Sequence, residues 1–306
     1  MEIKPLIGLE IHGYLTTKEK LFCSCPANYK DASPNSNICP ICTAQPGAKP
    51  MLPNKEALKK VIAIALMLNC KINSRLIWQR KHYDWPDLPK GYQNTLSGPH
   101  IAPLGEQGLF SGIKIIETHL EEDPAKWDPK SGLIDYNRSG IPLIEIVTEP
   151  QFHSSEEVIS WLNKLLLTLS YMKAVDPNAG IKADVNVNVL SKNKKSERVE
   201  LKNLNSLDSI KKAVDYEIQR QTELLKEGKS GKKESRMFSE EKNKTVLMRS
   251  KEGIADYRFI PDPDLPLIEI SESWIKKIKK ELPESPEDKI CLLYTSPSPR
   301  DLSTSR

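Results

Sequence analysis

Four cysteines in two close pairs are the sharpest chemical signal in the sequence. Cys23 and Cys25 are separated by one residue, and Cys39 and Cys42 by two. Two such pairs of thiolates supply the ligands of a tetrahedral zinc site that clips the loop 23–42. Disulfides and free thiols are the alternatives, and disulfides are disfavoured in a reducing compartment. The spacing favours zinc, and four protein ligands would make it a structural site.

Acidic and amide side chains recur on one face of several predicted strands. The alternation places Glu10 and His12 on such a face in 7–12, Asp184 and Asn186 in 183–189, Glu200 in 198–202 and Glu145 in 142–149. A solvent-facing sheet would also alternate. However, short carboxylates and amides have low strand propensity, so some other requirement selects them. A hard divalent cation, which prefers oxygen ligands, is the simplest candidate.

The segment 80–93 mixes cations, aromatic residues, Pro and Gly, which predicts a loop. Cations and aromatic rings on a loop suit a phosphate or a stacked base, and an aromatic plug over a core edge fits the spacing equally well. The Gly- and Lys-rich stretch 228–233 lacks the spacing of a P-loop, and no GxSxG nucleophile is present. A bound nucleotide would therefore be held by metal and by side chains on the sheet.

The elements that must position these residues can be read from hydrophobic periodicity. Helical spacing of apolar residues predicts helices over 54–69, from Ser154 onward and over 206–226. The sequence from Ser154 to Glu157 has the pattern of a capping box. With a further strand over 113–122, the pattern predicts an α+β fold with one antiparallel sheet. One face of that sheet would cover the core, and the other would form a polar floor.

Composition narrows the class of protein. The 306 residues include 45 Lys and Arg against 41 Asp and Glu, a net charge of +4 that is too mild to establish a nucleic-acid partner. No apolar run approaches the roughly 20 residues that cross a bilayer, and the N-terminus has no apolar leader. We therefore expect a cytoplasmic protein with no membrane partner.

Several sequence blocks, taken in order, resemble the GatB/GatE family, the B subunits of tRNA-dependent amidotransferases and their E-subunit paralogues. The blocks are 8–12 (GLEIH), 86–93 (PDLPKGYQ), 119–124 (HLEEDP), 135–150 (DYNRSGIPLIEIVTEP), 200–206 (ELKNLNS), 255–258 (ADYR) and 261–266 (PDPDLP). They cover about residues 5–285 and are closest in character to archaeal members.

The resemblance implies a fold and a reaction. The fold is a cradle-shaped catalytic domain similar to glutamine synthetase. In the reaction, the side-chain carboxylate of Glu on tRNA(Gln), or of Asp on tRNA(Asn), attacks the γ-phosphate of ATP. Ammonia then displaces phosphate from the acyl phosphate. The partners implied are an amidase, the A subunit, which releases ammonia from glutamine, and the small C subunit.

The resemblance also implies site residues. Mg²⁺ would be held by Glu10, His12, Glu122 and Glu200, with orientation of a water or of the substrate carboxylate as the alternative role of His12. The nucleotide and substrate would contact Lys81, Lys90, Arg138, Glu145, Asp184, Asn186, Lys202 and Asn205. For any of this second set, a structural hydrogen bond is an equal alternative.

The likeness stops near residue 290, whereas the family continues into tRNA-gripping domains. We therefore expect a catalytic domain over 1–290, and a disordered, non-native tail over 291–306 on a truncated chain. Two alternatives stay open. One is a non-catalytic, zinc-containing tRNA-binding or scaffold module, and the other is the paralogous E subunit of the Glu-tRNA(Gln) amidotransferase.

Overall fold

The computed structural model describes residues 3–176, 181–191, 194–250 and 257–286. The expected tail 291–306 lies outside these residues. The helices are α1 (Lys55–Met67), α2 (Ser155–Tyr171), α3 (Leu207–Lys226) and α4 (Glu272–Glu281). The strands are β1 (Ile3–Tyr14), β2 (Lys71–Ile72), β3 (Arg75–Leu76), β4 (Gln79–His82), β5 (Tyr92–Thr95), β6 (Gly105–Phe110), β7 (Ile113–Glu122), β8 (Lys126–Trp127), β9 (Ile134–Asp135), β10 (Pro142–Thr148), β11 (Ile181–Ser191), β12 (Lys194–Lys195), β13 (Val199–Leu204), β14 (Glu234–Ser239), β15 (Lys244–Ser250), β16 (Arg258–Pro261) and β17 (Ile268–Glu269).

One large sheet dominates the described part of the chain. Its strands follow the order β15-β14-β13-β11-β1-β10-β7-β5-β4-β16. Neighbours along this path are antiparallel except β13 and β14, which are parallel. The predicted mixed α+β fold with a mostly antiparallel sheet is confirmed. Because β1 lies between β10 and β11, segments distant in sequence meet at the middle of the sheet.

The two faces of the sheet differ as the alternation predicts. In β1, the side chains of Ile7, Leu9 and Ile11 are almost fully buried in the main core. Successive side chains of a strand point to opposite faces, so Glu10 and His12 lie on the other face. Val185 and Val187 of β11 and the apolar residues of β13 join the same core, which leaves a polar face across the central strands.

The predicted helices form, with one difference at a cap. Ser154 caps α2 through its side chain, which accepts a hydrogen bond from the backbone N–H of Glu157. The carboxylate of Glu157 does not return the bond to Ser154. It accepts instead from the N–H of His153 at 2.7 Å. The full capping box occurs at α3, between Ser206 and Ser209.

The loop predicted over 80–93 is partly a hairpin. β4 and β5 pair antiparallel, with His82 opposite Tyr92. Lys81 and Gln93 therefore lie on the polar face, whereas Arg80 lies on the opposite face. There the Arg80 guanidinium carbon lies 4.4 Å from the centre of the Tyr92 ring, and Arg80 forms an ion pair with Asp262. The segment therefore presents side chains to both faces of the sheet.

The helix α2 covers the core with one face, which allows a matched test of packing. Leu165 is fully buried and Leu167, two residues later, is 52% exposed. We expect Leu165→Ala to lower the free energy of unfolding by about 2–5 kcal/mol because it leaves a cavity. Leu167→Ala should change it by no more than about 0.5 kcal/mol. Denaturant melts of both variants measure this, and equal losses would contradict the assigned face.

Within the described residues, no helix is both long enough and apolar enough to span a bilayer.

Candidate functional site

A cleft of about 580 Å³ lies on the polar face of the sheet. It is lined by side chains from β1, β4, β5, β7, β10, β11 and β13 and by the segments that follow β7 and β13. Among them are Glu10, His12, Tyr14, Lys81, Gln93, Glu121, Asp123, Glu145, Lys182, Asp184, Glu200, Lys202, Asn205 and Tyr257. Its volume is that of a small-molecule or cofactor site.

Three carboxylates on neighbouring strands form the first group in this cleft, here called the carboxylate cluster. Glu10 on β1, Asp184 on β11 and Glu200 on β13 each offer an oxygen, and these oxygens lie within 4.8 Å of one another. The register places Glu10 opposite Asp184, and Glu200 opposite the next polar-face residue of β11, Asn186. The cluster therefore follows directly from the strand order β13-β11-β1.

Hydrogen bonds hold the carboxylate cluster in place. Asn186 Nδ2 donates to Glu10 Oε1 at 2.8 Å, and Ser235 Oγ donates to Glu200 Oε2 at 2.9 Å. Lys202 Nζ bridges Asp184 and Glu200, at 2.6 Å from Asp184 Oδ2 and 2.8 Å from Glu200 Oε1. Burial raises the pKa of Glu10, and the nearby carboxylates, above all Glu145, raise it further. A further cation would relieve this repulsion.

A second group, here called the histidine cluster, adjoins the first. It consists of His12 on β1, Glu121 on β7 and Glu145 on β10, with ligand atoms within 4.8 Å of one another. His12 Nε2 lies 3.2 Å from Glu145 Oε2. The buried His119 ring lies 3.1 Å from the same Glu145 oxygen. Burial disfavours protonation of His12, but the carboxylates of Glu145, Glu121 and Asp184 together outweigh it and raise the pKa of His12 to about 9.

The donor sets of the two clusters fit divalent cations. The carboxylate cluster is composed entirely of oxygen donors, as Mg²⁺ prefers, and a magnesium ion retains waters, so three carboxylates suffice. The histidine cluster offers two carboxylates and one imidazole. Two adjacent donor sets in one cleft could hold one or two cations beside a phosphorylated ligand.

Glu122 does not join these clusters, contrary to the set expected from the sequence. It follows Glu121 on β7, so its side chain lies on the opposite face of the strand. There it pairs with Lys90, accepts a hydrogen bond from the backbone N–H of Asn94 at 3.0 Å and lines a separate cleft. Lys90 lines that second cleft and is likewise absent from the walls of the first.

The two neighbours on β7 provide a sharp test. We expect Glu121→Gln to weaken Mn²⁺ binding at least about 10-fold, because it removes one charged ligand of the histidine cluster. Glu122→Gln should leave the Mn²⁺ affinity unchanged, since its carboxylate faces away. Electron paramagnetic resonance of the bound ion measures both variants. A loss at Glu122 and none at Glu121 would reverse the assignment.

The structure places the other expected contacts as follows. Lys81 lines the cleft, with its ammonium 4.7 Å from the centre of the Tyr257 ring, and Asn205 lines the cleft at its β13 end. Arg138 is held outside the lining residues by Asp123 at 2.9 Å and by the carbonyl oxygens of Pro124 and Ala125. Arg138 therefore orders the turn after β7.

Sequence reasoning missed residues at the Tyr14 end of the cleft. Tyr14 Oη donates to Asp123 Oδ2 at 2.8 Å, and Lys182 Nζ donates to Tyr14 Oη at 3.1 Å. Burial lowers the pKa of Lys182 and raises that of Asp123. The alternation gave a usable signal for Glu121, because its apolar neighbour Leu120 points to the core and Glu121 must therefore point to the other face. It gave none for Asp123, which follows the end of the strand.

The four cysteines come together as the spacing predicts. The sulfurs of Cys23, Cys25, Cys39 and Cys42 lie within 4.8 Å of one another, and all four are free thiols. Hydrogen bonding from Cys23 lowers the pKa of Cys42. The ammonium of Lys20, a side chain that is almost fully buried, lies 3.5 Å from the Cys42 sulfur. A compact set of four sulfurs beside a buried cation suits a metal bound by thiolates.

Comparison with known proteins identifies a family and several relatives that the chain resembles. Residues 5–276 match the family described as the GatB/GatE catalytic domain. Three archaeal relatives are named as the B subunit of aspartyl/glutamyl-tRNA(Asn/Gln) amidotransferase. The chain is 49% identical to the one from Methanopyrus kandleri over 282 residues, 47% to that from Methanocaldococcus jannaschii over 287, and 48% to that from Methanobrevibacter smithii over 286.

These alignments cover 92–93% of the chain but only 59–62% of each relative. The chain thus spans about three fifths of the length of the curated relatives it matches.

Proposed function

The chain belongs to the GatB/GatE catalytic-domain family, and from this we propose that it acts in a tRNA-dependent amidotransferase. The side-chain carboxylate of Glu on tRNA(Gln), or of Asp on tRNA(Asn), attacks the γ-phosphorus of ATP, which gives an acyl phosphate and ADP. Ammonia then attacks the acyl carbon and phosphate leaves, which gives Gln-tRNA(Gln) or Asn-tRNA(Asn). The class is a ligase that forms a C–N bond.

The observation that carries this proposal is the convergence of six ionisable side chains from five strands on one cleft. A carboxylate is a poor nucleophile toward a polyanion, because the two repel each other. A site for this step needs cations, and donors that hold them, at the point where carboxylate and phosphate meet. The carboxylate cluster and the histidine cluster supply the donors, and the lysines of the cleft supply fixed positive charge.

The residues then take distinct roles. Glu10, Asp184 and Glu200 would hold Mg²⁺, with a second position at His12, Glu121 and Glu145. When bound, Mg²⁺ neutralises phosphate charge and aligns the γ-phosphate for in-line attack. Lys81 and Lys182 bind phosphate oxygens directly. Lys202, which now pairs with Asp184 and Glu200, would contribute positive charge beside the phosphate. Asn186 keeps Glu10 oriented, and Asn205 contacts the substrate.

The remaining parts of the proposal concern the assembly. The four cysteines hold a structural Zn²⁺. Residues 1–290 form the catalytic domain, with a cradle resembling that of glutamine synthetase. The complex is cytoplasmic and includes an amidase, the A subunit, which supplies ammonia, and the small C subunit. Support for these parts comes from the family membership and from the cysteine geometry.

The experiment that tests the function measures ADP formation by the chain assembled with its amidase and small subunits. We expect ADP to form only when Glu-tRNA(Gln) or Asp-tRNA(Asn) is present, and Mg-ATP binding to be detectable by calorimetry. RNA binding without any nucleotide binding would contradict the proposal and favour a non-catalytic RNA-binding module.

A further inference from the structure

A third cleft, of about 570 Å³, lies on the polar face at the other end of the central strands. Glu10 and Asn186 lie on its wall, and Glu10 also lines the catalytic cleft. The third cleft thus adjoins the carboxylate cluster from the opposite side. None of the residues expected from the resemblance, apart from these two, lies on its wall.

Three cations outnumber the two carboxylates on the wall of the third cleft. Lys195, Arg198 and Lys233 line it. In the described part of the chain, no carboxylate lies within salt-bridge distance of any of the three, whereas Lys202 in the catalytic cleft contacts two. Glu197 is the carboxylate of this wall besides Glu10. Three exposed cations without ion pairs leave the cleft with capacity to bind an anion.

A buried amide points to a ligand independently of the charge. Asn188 lines the third cleft from β11, its side chain is only 6% exposed, and its Nδ2 has no hydrogen-bond partner among the described residues. A buried donor without a partner costs about 1–3 kcal/mol, so it requires an explanation. An acceptor oxygen of a bound molecule would satisfy it.

We propose that the third cleft binds the phosphodiester backbone of the single-stranded 3′ end of the RNA substrate. This inference rests on the proposed function, in which the aminoacyl end of an RNA must reach the carboxylate cluster. Each phosphodiester carries one charge, which one Lys or Arg can neutralise. A nucleotide triphosphate brings Mg²⁺, and five of the six proposed cation ligands line only the catalytic cleft. The two clefts therefore divide the substrates, with nucleotide on one side of Glu10 and RNA on the other.

The test compares two RNAs, a tRNA(Gln) transcript and the same transcript lacking its unpaired 3′-terminal nucleotides. The variant Lys195→Gln/Arg198→Gln/Lys233→Gln should bind the intact RNA at least about 10-fold more weakly at 0.1 M salt, with a shallower dependence on salt. It should bind the shortened RNA like the unmodified chain, and its Mg-ATP affinity should be unchanged. Lys194→Gln is the matched control, since Lys194 neighbours Lys195 but does not line the cleft.

A second variant keeps the inference falsifiable if the triple variant is unstable. Asn188→Asp preserves shape but replaces the free donor with a carboxylate, and should also weaken binding of the intact RNA. Weaker Mg-ATP binding with unchanged RNA binding would overturn the inference, as would an equal loss for both RNAs. Absence of RNA binding by the unmodified chain would overturn it as well. ADP formation in the same preparations reports separately on the proposed function.

Discussion

Replacing Glu200 by Gln is expected to lower the proposed tRNA-dependent ATP turnover at least about 100-fold. The amide keeps the volume of the side chain and an oxygen that can accept from Ser235, which donates to Glu200 at 2.9 Å. It removes the charge that the carboxylate cluster contributes toward a cation, and it removes one ion pair of Lys202. The loss should appear in kcat/KM for ATP and in the affinity for Mn²⁺ together, because both depend on the same charge.

The control for this prediction is Glu156→Gln. Glu156 lies in the first turn of α2, away from the cleft, and pairs with Lys211 at 2.5 Å on the surface. We expect it to retain full turnover and the unmodified Mn²⁺ affinity. If Glu200→Gln retained activity within about threefold of Glu156→Gln, the carboxylate cluster would not be the catalytic centre.

The second large effect is expected at the cysteines. With the proposed Zn²⁺ at the four cysteines, Cys42→Ser should reduce the zinc content from one equivalent to none. It should also lower the free energy of unfolding by about 3 kcal/mol or more, because metal binding stabilises only the folded loop. Zinc analysis by mass spectrometry and denaturant melts provide the two measurements. The Lys20 ammonium, now beside the Cys42 sulfur, would lose its charged partner as well.

Cys70→Ser is the matched control for the metal. Cys70 is a buried free thiol that is not part of the four-sulfur group. This variant should retain one equivalent of zinc, whatever its effect on packing. Zinc retained in Cys42→Ser, or lost equally in both variants, would contradict a site formed by the four cysteines.

Much of the fold followed from patterns of neighbouring residues. The alternation in β1 and β11 assigned Glu10, His12 and Asp184 to a polar face, and the structure places them there. That success has a simple reason, since successive side chains on a strand must point to opposite sides. The same rule separates Glu121 from Glu122, since the resemblance implied Glu122, whereas the alternation beside apolar Leu120 assigns Glu121 to the polar face.

The sequence by itself determined the faces of the strands, the grouping of the cysteines and the family. Only the tertiary structure decided which polar residues meet. The carboxylate cluster exists because β11 lies between β1 and β13. The bonds of Glu122 to Lys90 and of Arg138 to Asp123 likewise depend on contacts between separate segments. Strand order and register result from packing across the whole core, and periodicity along one strand carries no information about which other strand will lie beside it.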